Sequence, residues 1–337
     1  MSTAILVHPK FDAIWPLAAD HAHRLWSAQG PVEFVRVAHD DARSVGEVLS
    51  NPASITRLLA LGVPVAEACV ANLTRLREIA GVRDTAIVES LEARGVRVIR
   101  HKSEGYWGQS VAEFGLALTL CGLRRIPQTH HEIITSQTAW DYNPPGGIGQ
   151  PGARGQQFGD DDNFSSGTIE GKRIRIIGAG NIASRYASFV KFLGADVAVW
   201  DPFASEPCFH RAGSRREHFL DRLVQDAEIF VPMVPLTDKT RGLVTQAQIE
   251  ALPKGCLVVL VTRAGICDVP ALRRRVLNDE LSLAADVFDV EPLPLDDPLL
   301  GRHNVVHTPH NAGRTRQSNE RYAELLLEQF EPCRANS

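Results

Sequence analysis

The segment 174–183 reads IRIIGAGNIA, and it decides how the chain is organised. Its first four residues have the composition of a buried strand, and a glycine-rich turn follows them directly. In such a turn Gly178 permits the tight bend, Gly180 lets the backbone approach a pyrophosphate, and Ala183 still permits close packing of helix on strand. The helix that follows offers the unpaired N–H groups of its N-terminus, near Asn181 and Ile182, to phosphate oxygens. The segment therefore predicts a nucleotide-binding turn.

A bare GxG pattern is weak evidence, because it occurs by chance about twice in a chain with 26 glycines. The residues around this turn make the prediction specific. A helical stretch follows at Ile182–Leu193, and then a second strand, Val197–Trp200, ends in Asp201. A carboxylate at this position should accept hydrogen bonds from the adenosine ribose hydroxyls, while its charge repels a 2′-phosphate. The sequence therefore predicts NAD, in preference to NADP, as the cofactor.

The alternation of strands and helices extends along the whole chain. The first hundred residues carry strand patterns at Ala4–Val7 and Val32–Val37, with a helical pattern over Trp15–Gln29 between them. From Gly171 onward, strands are predicted at Arg173–Ile177, Val197–Trp200, Ile229–Val231, Leu257–Val261, Leu283–Asp286 and Val305–His307. This alternation predicts an α/β fold with doubly wound parallel sheets, in which ligands bind beyond the carboxyl ends of the strands.

A chain of 337 residues is too long for one ordinary hydrophobic core, so we expect two Rossmann-like or flavodoxin-like domains. The amphipathic tail Asn319–Phe330 is expected to pack back onto the first domain, which makes that domain discontinuous. We therefore predict a substrate domain of residues 1–125 and 314–337, with an NAD-binding domain of residues 126–313 inserted in it. The nearly all-apolar helix Ser110–Arg125 is expected between the domains or at a subunit contact.

The segment 141–168 has the least regular composition in the chain. It contains seven glycines and three prolines in 28 residues, which disfavours a packed helix or strand. We interpret it as a solvent-exposed linker loop or, with about equal weight, as an arm that reaches a partner subunit. A lid over the active site is a third and less favoured interpretation.

The composition argues against several classes of function. A net charge of −4 disfavours a nucleic-acid surface, and the chain has no apolar run of 18 residues that could span a membrane. The six cysteines form no CxxC pair, which is typical of a protein from the reducing cytoplasm. The pairs His21/His23 and His130/His131 have no further ligands at useful spacing, so we expect no metal site.

Three candidate catalytic residues lie in the last third of the chain: Arg263, Glu291 and His310. A guanidinium can bind the carboxylate of a 2-keto acid, and an imidazole can protonate its carbonyl oxygen while the cofactor supplies hydride. A carboxylate can orient the imidazole and favour its charged form. Together with the nucleotide-binding turn, this set predicts reduction of a 2-keto acid or the reverse oxidation.

From residue 174 to residue 315 the chain resembles the D-isomer-specific 2-hydroxyacid dehydrogenases. The matching segments are GAGNIA at 178–183, VWDP at 199–202, PLTDKTRGLVT at 235–245, LVVLVTRAG at 257–265, AADVFDVEPLPLDDPL at 284–299 and HTPHNAG at 307–313. The last three segments are the specific ones. Outside this region the resemblance is weaker, although Val111-Ala112-Glu113 and the helix after it also fit.

The resemblance implies a role for each matching residue. It makes Arg263 the substrate-binding cation, His310 the acid/base and Glu291 the partner of that histidine. The cofactor is NAD, and a homodimer formed through the cofactor domain is common among such proteins. The implied cofactor contacts also include Asp286 near the nicotinamide carboxamide and Pro235 on the adenine side, together with Thr262 and Gly313.

Two segments depart from the family pattern. The loop that usually holds the substrate carboxylate through glycine N–H groups reads AGVRD at 80–84, so Gly81, Val82 and Arg83 become the candidate substrate contacts. The segment 100–108 reads RHKSEGYWG, where relatives usually have an Asn-Thr-Pro-Gly type of turn. Its aromatic and basic residues near the expected substrate site suggest an unusual substrate.

Two alternatives to an ordinary 2-keto acid reductase stay open on the sequence. A few relatives bind partner proteins and respond to the redox state of NAD without catalysis, and intact Arg263, Glu291 and His310 do not exclude that role. A second alternative keeps the chemistry and changes the substrate to a phosphonate or a bulky natural-product keto acid.

Overall fold

A computed structural model of the protein describes residues 2–102, 105–144 and 146–331. The chain forms two compact units. Unit 1 consists of Met1–Trp107 together with Arg314–Ser337, and unit 2 consists of Gly108–Gly313. Each unit contains one parallel sheet covered by helices, which confirms the predicted α/β class.

The sheet of unit 1 has five parallel strands: β1 Ser2–Val7, β2 Val32–Arg36, β3 Ile55–Leu61, β4 Glu78–Ala80 and β5 Arg97–Ile99. They lie in the order β2-β1-β3-β4-β5. β1 and β3 are almost completely buried, as their continuous apolar runs require of central strands covered on both faces. In the register of these strands Ile5 lies opposite Phe34 on one side and Leu59 on the other.

The sheet of unit 2 has seven parallel strands: β6 Arg173–Ile177, β7 Asp196–Trp200, β8 Arg215–Glu217, β9 Ile229–Pro232, β10 Leu257–Leu260, β11 Ser282–Ala285 and β12 Val305–His307. They lie in the order β12-β11-β10-β9-β6-β7-β8. The direction of winding therefore reverses at β6, and the glycine-rich turn follows this strand. In doubly wound sheets the ligand binds at this reversal point, beyond the carboxyl ends of the strands.

The helices cover both faces of the two sheets. In chain order they are α1 Pro9–Asp12, α2 Ala18–Ser27, α3 Val45–Val48, α4 Glu67–Val70, α5 Thr85–Ala93, α6 Gly108–Arg124, α7 Ile126–Thr135, α8 Asn181–Phe192, α9 Glu206–Ala212, α10 Leu220–Val224, α11 Gln246–Ala251, α12 Val269–Leu277 and α13 Arg316–Leu327. No helix in the described part of the chain is long and apolar enough to cross a membrane.

The apolar helix α6 packs inside unit 2 against α8, β10 and β11. Its buried Thr119 lies 2.8 Å from the hydroxyl of Tyr186 on α8, and Tyr186 is completely buried. Gly115 makes this approach possible, because an added Cβ would lie 3.1 Å from Met233 and 3.3 Å from Tyr186. The first boundary between the units therefore falls before α6, and the predicted boundary after residue 125 is wrong.

The tail helix α13 packs against α2 within unit 1. Thr315 caps its first turn by accepting a hydrogen bond from the N–H of Ser318, so the helix begins three residues before the predicted start. The rings of Trp26 and Phe330 meet edge to face at 5.0 Å in the same core cluster. The C-terminal segment thus completes the core that the first hundred residues begin.

The glycine-rich segment has no helix or strand in its described residues, as its composition predicts. The two ends of its first part lie side by side, because the N–H of Gln156 donates to the carbonyl of Asp141 at 2.8 Å. Its last part packs on unit 2 through hydrogen bonds from Ser165 to Gly255 and from Gly167 to Leu123. We call the residues between these two ends, 142–155, the excursion.

Candidate active site

The three predicted catalytic residues follow three neighbouring strands of unit 2. Arg263 follows β10, Glu291 follows β11 and His310 follows β12. Because parallel strands present their carboxyl ends at one edge of the sheet, residues far apart in sequence are brought to the same place. His310 has a positive φ of 52°, an uncommon conformation for a residue other than glycine. Such outliers are concentrated at functional sites.

His310 and Glu291 form a direct hydrogen bond. Nδ1 of His310 lies 2.6 Å from Oε2 of Glu291, and the other oxygen of this carboxylate accepts the N–H of Phe288 at 2.8 Å. The two side chains remain 38% and 34% exposed, so a substrate can reach them. With Nδ1 facing a carboxylate, Nε2 is the ring nitrogen that can exchange a proton with a ligand.

The charge state of Glu291 connects it to Arg263 as well. Burial alone would raise the pKa of Glu291, but the hydrogen bonds from His310 and the Phe288 N–H, with the positive charge of Arg263, hold that pKa below its usual value. Glu291 is therefore ionised at neutral pH. The charge of Arg263 thus acts on the carboxylate that is hydrogen-bonded to His310, and the catalytic role of all three residues stays a prediction.

Arg263 is held by the backbone beside it. It precedes the short 3-10 helix Ala264–Ile266 in an extended conformation, and its Nη1 donates to the carbonyl oxygen of Thr262 at 2.7 Å. The side chain is half-buried. One edge of the guanidinium is thus fixed, which reduces the conformational entropy lost when the group binds an anion.

Asp286 anchors the loop that carries His310. Its side chain is fully buried and accepts hydrogen bonds from the hydroxyl of Thr308 at 2.6 Å and from the N–H groups of Asn311 at 3.0 Å and Ala312 at 2.9 Å. These donors flank His310 on both sides. The sequence predicts Asp286 only as a cofactor contact, because the donors of this loop lie 22 to 26 residues away and no local pattern connects them to Asp286.

The glycine-rich turn has the geometry that a nucleotide requires. Gly178 has a φ of +102°, and an added Cβ would lie 2.8 Å from the carbonyl oxygen of Met233, so no other residue fits there. An added Cβ on Gly180 would meet nothing within 4 Å, which leaves its surface open for a ligand. Helix α8 begins after Gly180 without a side-chain cap, so its first N–H groups are available for phosphate oxygens.

Asp201 lies beside this turn, at the end of β7. One carboxylate oxygen accepts the N–H of Ala179 at 2.8 Å, and the other accepts the N–H groups of Phe203 at 2.9 Å and Ala204 at 3.1 Å. The negative charge is therefore held at a defined position next to the pyrophosphate turn. These residues are compatible with a dinucleotide: Asp201 would hold its ribose hydroxyls and the start of α8 its phosphates.

The side chain of Asn181 is held by Arg185, a residue that was not predicted from the sequence. Arg185, one turn further along α8, donates from Nε to Oδ1 of Asn181 at 3.0 Å and from Nη1 to Oε1 of Gln109 at 2.7 Å. Gly108 gives the amide its space, since an added Cβ would lie 2.8 Å from Nδ2 of Asn181. The spacing of four residues between Asn181 and Arg185 on a helix was the available signal.

The remaining predicted cofactor residues lie at the same edge of the sheet. Pro235 follows β9 and is exposed, and Thr262 follows β10, where its hydroxyl donates to the carbonyl of Pro232 at 3.2 Å. Gly313 follows β12 and is the last residue of unit 2. Unit 2 therefore brings the predicted cofactor and catalytic residues to the carboxyl ends of its strands.

The predicted substrate loop belongs to unit 1 and follows β4. Gly81 has a φ of +94°, and an added Cβ would lie 1.9 Å from the carbonyl oxygen of Ala60, which excludes any side chain. Val82 is buried, Arg83 is exposed, and Asp84 caps α5 by accepting the N–H groups of the first helical turn. The loop is thus fixed at both ends and presents Arg83 to its surroundings.

Comparison with known proteins identifies the family. The family model described as D-isomer specific 2-hydroxyacid dehydrogenase, NAD binding domain, matches residues 116–312. A D-3-phosphoglycerate dehydrogenase from Archaeoglobus fulgidus is 29% identical over 246 residues, which are 73% of this chain and 42% of that protein. A glyoxylate reductase from Aeropyrum pernix is 28% identical over 263 residues, which are 75% of this chain and 72% of that protein.

The structural comparison gives the same fold over the whole chain. The NAD-complexed D-isomer-specific 2-hydroxyacid dehydrogenase of Lactobacillus delbrueckii ssp. bulgaricus superposes with a TM-score of 0.72 at 19% identity, covering 97% of this chain and 95% of that one. The chain belongs to the D-isomer-specific 2-hydroxyacid dehydrogenase family, and unit 2 contains its NAD-binding domain. The predicted family and the predicted cofactor, NAD, are both confirmed. The match spans less than half the length of the phosphoglycerate dehydrogenase.

Proposed function

We propose that the protein is an NAD-dependent dehydrogenase that transfers a hydride between the nicotinamide and C2 of a 2-keto or 2-hydroxy acid. The observation that carries this proposal is the 2.6 Å hydrogen bond between His310 and Glu291, with the charge of Arg263 acting on the same carboxylate. A structural ion pair would not need an exposed imidazole held at a positive φ by a buried Asp286.

Each residue has a defined part in the proposed reaction. The bound cofactor supplies or accepts the hydride. Arg263 binds the substrate carboxylate, for which a planar guanidinium offers two parallel N–H donors. In the reductive direction Nε2 of His310 donates its proton to the carbonyl oxygen, and the ionised Glu291 stabilises the imidazolium and fixes the proton on Nδ1. In the oxidative direction neutral His310 removes the hydroxyl proton.

The substrate and cofactor contacts complete the proposal. The candidate substrate contacts of unit 1 are Gly81, Val82 and Arg83. The cofactor contacts are Gly178, Gly180, Asn181 and Ile182 for the pyrophosphate, Asp201 for the ribose, Pro235 for the adenine side, and Thr262, Asp286 and Gly313. The names of the relatives, phosphoglycerate dehydrogenase and glyoxylate reductase, support a small 2-keto acid as the type of substrate.

We further propose that the protein is a cytoplasmic homodimer formed through unit 2. Helix α7 has no buried residue, and Ile133 and Ile134 are 48% and 67% exposed. Trp140 and Tyr142, which follow it, are 60% and 71% exposed. A group of apolar side chains of this size in contact with water is typical of a protein interface. The five cysteines in the described residues are free thiols, in keeping with a reducing compartment.

A panel of 2-keto acids offered with NADH, followed by the loss of NADH absorbance, tests the proposal. We expect turnover with at least one acid, and its near-complete loss in Arg263→Lys with NADH binding retained, because lysine cannot make the bidentate contact. Tight NADH binding without turnover across a broad panel would contradict the proposal and favour a non-catalytic regulator that senses NADH.

A further inference from the structure

The start of helix α7 borders a small cavity at the edge of unit 2 opposite the candidate active site. The cavity is also lined by Ser282, the first residue of β11, and by Asn304, which directly precedes β12. Because the strands are parallel, these amino ends lie at the edge away from His310, which follows β12. All of the lining residues belong to unit 2. We call this space the α7 cavity.

Three side chains that line the α7 cavity each carry a buried polar atom with no hydrogen-bond partner in the described part of the chain. These atoms are Nε of Arg125, Oε1 of Gln128 and Oγ of Ser282. Ser282 is only 6% exposed. Buried polar atoms are nearly always paired in folded proteins, and each unpaired one destabilises the fold. Three of them around one cavity indicate a ligand that pairs with all three.

The hydrogen bonds of Gln128 decide which of its amide atoms needs a partner. Nε2 donates to the carbonyl oxygens of Val305 at 2.9 Å and His303 at 3.3 Å, so the backbone sets the orientation of the amide. Oε1 can only accept, which means that the ligand must carry a hydrogen-bond donor. Nε of Arg125 can only donate, so the same ligand must also carry an acceptor.

The surroundings of Arg125 favour an anion as that acceptor. Arg125 carries a positive charge and has a φ of 49°, an uncommon conformation for a residue other than glycine. Helix α7 begins directly after it without a side-chain cap, so the positive end of the helix dipole lies at the same place. Two carboxylates limit the charge of the ligand, since Oε1 of Glu132 lies 3.8 Å from Nη2 of Arg125 and Asp161 also lines the cavity. A single negative charge is therefore favoured over two.

We propose that the α7 cavity binds a small oxyanion with one negative charge and one hydroxyl group, of which bicarbonate is the simplest example. Its charged oxygens accept from Nε of Arg125 and from the hydroxyl of Ser282, and its own hydroxyl donates to Oε1 of Gln128. The cavity has room for only a few heavy atoms, in keeping with an ion of this size. The bound ion connects the start of α7 to the start of β11.

Calorimetric titration of the NADH-loaded protein with sodium bicarbonate, in a sealed cell at constant pH and ionic strength, tests this proposal. We expect saturable binding to a single site per chain. Nitrate has the same planar shape and charge but lacks the hydroxyl, so its affinity should be about tenfold lower, the effect of one net hydrogen bond. Formamide is planar and neutral and should not bind. The titration involves no turnover, so its outcome is independent of the proposed function.

Three outcomes of the titration would overturn the proposal. Absence of a saturable signal with bicarbonate would show that the cavity holds only water. Equal affinity for bicarbonate and nitrate would show that the hydroxyl group is not recognised. Saturable binding of formamide would show that the site does not select a negative charge.

Two variants separate a ligand-binding role from a structural one. Arg125→Lys keeps the positive charge and removes the Nε donor, so bicarbonate affinity should fall about tenfold. Arg124→Lys, at the exposed last residue of α6, is the matched control and should keep the parent affinity. Ser282→Ala should also lower the affinity, while its Tm without bicarbonate stays equal or rises because an unpaired hydroxyl is removed. A lower Tm with unchanged bicarbonate affinity in both Arg125→Lys and Ser282→Ala would show that these residues are structural.

Discussion

At the scale of single residues, the charge of Glu291 decides how the proposed acid/base group responds to pH. Its pKa is lowered because the His310 and Phe288 hydrogen bonds and the Arg263 charge outweigh its burial. A carboxylate with a lowered pKa keeps its charge at neutral pH and loses it only on further acidification. Across the neutral range it therefore keeps a negative charge 2.6 Å from Nδ1 of His310, the proposed acid/base.

We expect Glu291→Gln to change the pH profile of kcat/KM in a defined direction. In the variant the imidazolium has lost its counter-charge, so the profile of keto-acid reduction should be displaced toward lower pH. The profile of the oxidation should be displaced in the same direction. Asp289→Asn, an exposed charge change in the same segment, serves as the control. Identical profiles for parent and Glu291→Gln would refute the acid/base pair.

Asp286 acts on the reaction through the loop that it anchors. In Asp286→Asn one end of the side chain becomes an NH2 group, which then faces an N–H of Asn311 or Ala312 or the hydroxyl of Thr308. A donor facing a donor in a fully buried position costs about 1–3 kcal/mol. We expect kcat to fall about tenfold or more, with a pH profile that also shifts because His310 is no longer held against Glu291.

The matching control for Asp286→Asn is again Asp289→Asn, which changes the same charge at an exposed position. Thr308→Val removes only one of the three donors and should give a smaller loss of kcat than Asp286→Asn. If Asp286→Asn raises KM for NADH and leaves kcat and the pH profile unchanged, then Asp286 serves the cofactor alone.

At the scale of elements, the turn from β6 through α8 to β7 determines the choice of cofactor. The Asp201 carboxylate is fixed by three backbone N–H groups, so it cannot move away from a 2′-phosphate. Two negative charges held together in a partly dry cleft repel each other strongly. We expect a preference for NAD over NADP of about 100-fold in kcat/KM, reduced in Asp201→Ala. Equal efficiency with both cofactors in the parent enzyme would disprove this role.

Helix α7 is held to unit 2 by a polar anchor and leaves its apolar side chains exposed. Gln128 donates from Nε2 to the carbonyl oxygens of Val305 at 2.9 Å and His303 at 3.3 Å. We expect Ile133→Glu to convert a dimer into a monomer, because burying an unpaired carboxylate at an interface is strongly unfavourable. Phe192→Glu, at an 89% exposed position on α8, is the control. Light scattering that gives the same mass for Ile133→Glu and the parent would exclude α7 from the interface.

At the scale of the whole molecule, local patterns predicted unit 2 well and unit 1 only in part. The strands β6 and β12 were predicted with the bounds they have, because each is followed directly by a recognisable motif. Strand β3, which contains Arg57, was not predicted. The structure explains this arginine, which is buried near Glu78 and lies over the ring of Trp26. Such pairings are tertiary and leave no local periodicity.

In the candidate site, too, residues in local motifs were predicted and contacts between distant residues were not. Arg263, Glu291 and His310 were predicted because each lies in a specific local motif. In the structure Glu291 is hydrogen-bonded to His310 and is within reach of the charge of Arg263. The anchoring of His310 by Asp286 depends on how β11 and β12 pair, and the start of α6 as part of unit 2 depends on packing against α8. Neither has a signal in the order of residues alone.

Removal of the excursion, residues 142–155, tests whether dimer formation and turnover depend on this segment. Its ends already meet through the hydrogen bond from Gln156 to Asp141, so a Gly-Gly link can replace residues 142–155 without moving unit 2. The segment is glycine-rich and largely exposed, and it contributes little to any core. We expect the shortened protein to bind NADH and to turn over substrate within about twofold of the parent, within the tolerance usual for surface loops.

Turnover, NADH affinity and molecular mass are measured on the same preparation of the shortened protein. A loss of the dimer with turnover retained would identify the excursion as an arm between subunits. A folded dimer that binds NADH and has lost turnover would identify it as a lid, contrary to our expectation. As a control, Gly255→Ala disturbs the adjoining packed part, since an added Cβ would lie 2.5 Å from the carbonyl oxygen of Asn163. We expect that variant to lower the Tm, whereas the excision should leave it nearly unchanged.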